Sequence, residues 1–148
     1  MTDVDRPHRA PAAGRAVVWT QFALLVAYLI GSFGVLILAA VRSGDPAAIL
    51  HPGLERLGDP KESLPGLGPD SVANPLVWIF GVCRLIAWFV YPLGIAMLLF
   101  GVVTLVPSWR RGDRRTFARL AVLTTVWLVL ILLAVSPYGQ DLMGWLLD

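Results

Sequence analysis

The stretch Ala16–Val41, AVVWTQFALLVAYLIGSFGVLILAAV, decides the fold. It runs for 26 residues without a charged side chain, and an α-helix crosses the hydrocarbon of a bilayer with about 20. The stretch is too long for the roughly 7–15-residue apolar segment of a secretory signal. Ala39 and Ala40 also make a poor cleavage site, so it reads as a retained anchor. Two more tracts repeat the pattern. Leu85–Val106 has no charge over 22 residues and Leu120–Ser136 none over 17. Phe117 and Ala118 prolong the third tract, with Arg119 reaching back towards the interface along its aliphatic stem.

Composition agrees. Of 148 residues, 57% are hydrophobic and the mean hydropathy is +0.71. A water-soluble chain this small leaves too much of its surface exposed to hide that apolar share. The expected fold is therefore an all-α integral membrane protein with three transmembrane helices.

Charge sets the expected orientation, because cytoplasmic flanks carry an excess of Lys and Arg. Arg6, Arg9 and Arg15 precede the first tract, and Arg110, Arg111, Arg114, Arg115 and Arg119 lie between the second and third. These flanks share one side of a three-span chain, with eight basic residues against the acids Asp3, Asp5 and Asp113. The N-terminus is expected inside and the C-terminus outside. Trp19 and Trp109 at inner helix ends and Trp145 beyond the outer end suit headgroup-level rings. Trp127, mid-span, is expected to pack on a neighbouring helix. Arginine outnumbers lysine 11 to 1, a bias of high-G+C bacterial genomes, so the expected location is a bacterial inner membrane.

The chain then divides into a disordered cytoplasmic lead (1–15), a first span (16–41) and an outer loop (42–75) dense in Pro and Gly. Within that loop 47–57 can form one or two helical turns with Ile49, Leu50, Leu54 and Leu57 on one face. A long second helix (76–106) follows, opened by Asn74-Pro75 as cap and first turn. Counting back from Val106, its crossing is expected over 85–106, and the apolar extension 76–84 is expected to lie flat in the interface, to tilt back into a long oblique span or to pack on another protein. Pro92 is positioned to kink it. A basic inner loop (107–117), a third span (118–136) facing mainly lipid, and an interfacial tail helix (137–148) anchored by Trp145 complete the reading.

Arg84 is the one charge set within apolar sequence, and such residues are functional candidates by default. Two readings stand. It snorkels to the outer headgroups, with the Trp88 ring one turn away as a cation–π partner. Alternatively it pairs with a carboxylate, for which Asp70, Asp141 and Asp148 are the outer candidates in this chain. Small residues give two further stripes. Ala23, Ala27, Gly31 and Gly34 allow close helix approach on the first span, while Ala87, Gly94 and Gly101 recur every seven residues on the second, the period of a left-handed pair. The two faces are expected to meet each other or a partner subunit. Arg110, Arg111, Arg114, Arg115 and Arg119 are expected to fix topology and attract anionic headgroups.

Several chemistries find no residues to carry them. His8 and His51 lie outside the spans, so no haem is held between facing histidines, and no Asp or Glu lies within a span to relay protons. No phosphate loop, zinc-hydrolase motif or clustered cysteines occur. The scattered outer residues His51, Glu55, Asp59 and Glu62 make no catalytic set. No catalytic residue, cofactor, metal or nucleic-acid partner is expected. The function expected is non-catalytic: a small accessory, assembly or scaffold subunit whose partners are the lipid bilayer and other membrane subunits, or copies of itself. The alternative is a homo-oligomeric channel or small-solute transporter component with Arg84 near the permeation path.

Overall fold

The computed structural model describes residues 10–60 and 75–147, and every regular element among them is helical. The lead before residue 10, loop residues 61–74 with the Asn74 cap, and Asp148 lie outside the described residues. Three helices are long and apolar enough to cross a membrane: Gly14–Ser43, Val90–Arg110 and Arg114–Val135.

The first of these rods comprises α1 (Ala10–Leu29), a π-helical turn (Ile30–Gly34) and α2 (Val35–Ser43). At 30 residues it reaches about 45 Å, more than the roughly 30 Å of hydrocarbon. Its last turns are therefore free to serve a second structure. The π turn has a local cause. The buried Ser32 donates its hydroxyl to the Tyr28 carbonyl at 2.6 Å, competing with the i→i−4 ladder and widening it. Gly44, at φ +71°, then ends α2.

A 3-10 turn (Pro46–Leu50) and the single turn α3 (Leu54–Leu57) follow. Asp45 caps the former by accepting from the Ala47 N–H at 3.1 Å, and it also pairs with Arg56 at 2.9 Å. Next come α4 (Pro75–Trp88), α5 (Val90–Arg110), α6 (Arg114–Val135) and α7 (Pro137–Leu147).

Several boundaries move. The second long helix is two helices, broken at Phe89 (φ −87°, ψ 22°). Pro92 explains the break: it has no N–H for the Trp88 carbonyl, and its ring crowds that carbonyl. The helix long and apolar enough to cross is therefore α5, Val90–Arg110. Pro107 does not stop it. The loop between the second and third long helices shrinks from 107–117 to three residues, Arg111–Asp113, because two of them are built for a helical hairpin. Gly112 takes the left-handed φ of +71° that closes α5, and Asp113 caps α6 by accepting from the Thr116 N–H at 3.1 Å. The Thr116 hydroxyl, the same N–H and the nearby Arg15 hold the Asp113 carboxyl below its ordinary range. At the chain start, α1 begins at Ala10, within the segment expected to be disordered.

The three rods pack through residues seven apart. Gly14, Gln21 and Tyr28 on α1 are buried; so are Ala87, Gly94, Gly101 and Ser108 along α4 and α5, and Leu120, Trp127 and Ala134 on α6. That spacing belongs to left-handed helix packing. Gly94 admits Ile131, since a Cβ there would come within 2.7 Å of its side chain, and Gly101 admits Thr124. The small face of α5 therefore meets α6, while most of α6 is unburied, as expected of a span facing mainly lipid. On α1 the stripe is also different from the one expected: Ala23 is exposed, and Gly34 meets only its own helix.

Gly31 belongs to the closest approach in the fold. A Cβ there would lie 2.0 Å from the Cys83 carbonyl oxygen, so the π turn and α4 touch backbone to backbone. Gly31→Val should cost about 3 kcal/mol, the top of the overpacking range, read as a lower midpoint in a denaturing-detergent titration followed by circular dichroism. Gly81→Ala, on the open face of the same helix α4, should leave the midpoint in place.

Candidate functional site

The Gly31 contact fixes the position of the next residue on α4. Arg84 is 8% exposed, and its guanidinium reaches the last turn of α7. Nε donates to the Leu146 carbonyl at 3.0 Å, and Nη2 donates to the same oxygen. That carbonyl is among the four at a helix C-terminus that lack an intrahelical partner, at the end where the helix dipole is negative. Trp88 presents its ring 5.6 Å from the guanidinium carbon. Burial removes the charge from water, and the Asp59 carboxylate lies within its field.

Arg84 is thus a capping group supplied by one helix to the end of another. The Trp88 contact expected from the sequence is present. The carboxylate partner is not among the described candidates: Asp141 is exposed, and Asp70 and Asp148 lie outside the described residues.

The same junction gathers the tail. Val35, Leu36, Ala39 and Ala40 of α2 form one apolar core with Ala48, Leu57, Leu142, Trp145 and Leu146. Tyr138 donates its hydroxyl to the Ile49 carbonyl at 3.0 Å, and Trp145 donates Nε1 to the Gly58 carbonyl at 2.9 Å. Trp145 is 2% exposed. The expectation that Trp145 anchors the tail in the interface is therefore corrected: its ring is buried in a helical cap of which α7 forms one wall. Helix α7 turns back tightly from α6, because Gly139 brings its backbone against Leu133 and Ala134, where a Cβ would meet the Leu133 carbonyl oxygen at 2.1 Å.

A second polar group sits inside the bundle. Gln21 is fully buried, and its Nε2 donates to the Met97 carbonyl at 2.8 Å. Trp127 donates to the Gln21 carbonyl at 3.4 Å, and Thr124 faces the space left by Gly101 beside the Gln21 amide. This is the interhelical polar bonding that lipid favours. The sequence carries the signal, a glutamine inside 26 uncharged residues, which a reading confined to ionisable residues does not register.

No family, characterised protein or solved structure compared with the chain matches it.

On the outside of this assembly α4 turns an apolar face to its surroundings. Trp78, Ile79, Val82 and Leu85 are each at least half exposed, as is Phe89 at the break that follows. Among the described residues no three His, Cys, Asp or Glu side chains come together. His51 and Glu55 are exposed on the cap. Arg110, Arg111, Arg114, Arg115 and Arg119 are all exposed at the opposite end of the bundle, with Trp19 and Trp109 exposed beside them.

Arg84→Gln should free the end of α7. A hydrogen bond to a charged group is worth about 1.5–3 kcal/mol, so amide exchange over residues 142–147 should quicken roughly ten-fold or more. Arg56→Gln, which removes an exposed ion pair instead, should leave that exchange unchanged.

Proposed function

We propose that this chain is a non-catalytic accessory or assembly subunit of a bacterial inner-membrane complex, and that it docks through the exposed face of α4. The observation that carries the proposal is that face. Val77–Trp88 is an apolar helix set apart from the crossing segment that begins at Val90, and its outward side is Trp78, Ile79, Val82 and Leu85. Contiguous apolar surface of this kind marks an interaction site when it lies outside the hydrocarbon. The excess of arginine at the Arg111–Asp113 turn supports an orientation with that turn and the N-terminus in the cytoplasm. The cap and α4 then stand on the outer side.

The channel reading loses the feature that suggested it. A ring of Arg84 side chains around a pore needs guanidinium groups directed away from the subunit, whereas Arg84 donates to Leu146 within it.

A photo-crosslinking amino acid at Ile79 or Val82, in native membranes, should give a discrete adduct with a second protein. The same probe at Val129, exposed on α6, should give lipid adducts alone. If Ile79 and Val82 behave like Val129, the docking face is only a lipid-facing surface and the accessory role loses its basis.

A further inference from the structure

At the basic end of the bundle α1 and α6 run side by side in the same direction, since Gly14 faces Thr116 and Gln21 lies beside Thr124. Between them runs an open groove of about 520 Å³. Val18, Trp19 and Phe22 form one wall, and Ala118, Arg119 and Val122 the other. The walls are apolar apart from Arg119. That residue has no hydrogen bond or ion pair among the described residues. Arg115 stands one turn before Arg119 on α6, and Arg15 one turn before Trp19 on α1, both exposed. Two arginines four apart on one helix repel each other. The nearby carboxylate, Asp113, is engaged as the α6 cap.

We propose that this groove is a binding site for an anionic phospholipid of the surrounding bilayer. One acyl chain lies along Val18, Phe22 and Val122, and the headgroup phosphate sits against Arg119, Arg115 and Arg15. An apolar slot suits a hydrocarbon chain, and the unpaired guanidinium at its wall suits a phosphate oxygen pair, which Arg binds in a fork. A phosphate also relieves the Arg115–Arg119 repulsion. Trp19, 67% exposed, is placed at the headgroup level where indole rings settle. The site does not depend on the accessory role proposed above, nor on which side of the membrane the basic end faces.

The test uses the full chain released from vesicles containing phosphatidylglycerol and phosphatidylcholine in equal amounts, with retained lipid read by native mass spectrometry. The wild-type chain should retain phosphatidylglycerol in preference to phosphatidylcholine. Arg119→Gln should lower that preference roughly five-fold, the effect of one cation near the surface. Val122→Trp should fill the slot and abolish retention with every charge intact; Val122 is 63% exposed, so the bundle core is untouched. Arg110→Gln, on α5 and outside the groove, should change nothing. If Arg110→Gln weakens retention as much as Arg119→Gln, or if Val122→Trp retains lipid normally, the attraction is a diffuse field of the basic loop and the proposal fails.

Discussion

Arg84 gives both of its hydrogen bonds to one carbonyl, that of Leu146 in the final turn of α7. A guanidinium away from water is costly unless its donors are used, and a helix end is costly unless its carbonyls are used. Each cost is offset by the other. The approach depends on Gly31, because only a residue without Cβ lets the π turn lie on the Cys83 carbonyl of α4 and brings Arg84 into line. Once α7 is held there, Trp145 and Tyr138 reach the loop carbonyls of Gly58 and Ile49. The cap is therefore a consequence of one charge and one missing methyl group.

Within the bundle the same logic operates with neutral groups. Lipid offers no driving force for apolar helices to leave it, so association rests on close packing and on polar contacts. Gly94 and Gly101 supply the first on α5, admitting Ile131 and Thr124. Gln21 supplies the second, joining α1 to α5 through Met97. Two hydroxyls of α5 are satisfied inside their own helix, Thr104 donating to Phe100 and Ser108 to Thr104, the usual i−4 solution in apolar surroundings, whereas the buried Thr124 hydroxyl has no partner among the described residues.

The three crossings were legible in the sequence because lipid imposes a length and a composition that Ala16–Val41 and its two counterparts meet openly. Helix ends were less so, since hydropathy marks where lipid is tolerated while caps and proline decide where a helix stops. Asp113 and Gly112 shorten the loop between α5 and α6, and Pro92 breaks the second long helix at Phe89. The seven-residue stripe of Ala87, Gly94 and Gly101 was readable by period, but its partner was not: which helix faces it depends on side-chain shapes that spacing alone does not order. On α1 the small residues Ala23 and Ala27 suggest a packing stripe, whereas the buried seam is Gly14, Gln21 and Tyr28. Arg84 stood out as a costly charge, yet its partner is a backbone carbonyl, a group present at every residue and invisible to any search for a carboxylate.

The central claim is that Arg84 caps α7. Solid-state NMR on the full chain in lipid, with ¹⁵N at Arg84 Nε and ¹³C at the Leu146 carbonyl, measures it directly. A hydrogen bond of 3.0 Å places those nuclei about 4 Å apart, and a strong dipolar coupling is the expected result. No measurable coupling, with Arg84 Nε instead close to lipid phosphorus, would mean that the residue snorkels to headgroups and that the cap is held by other means.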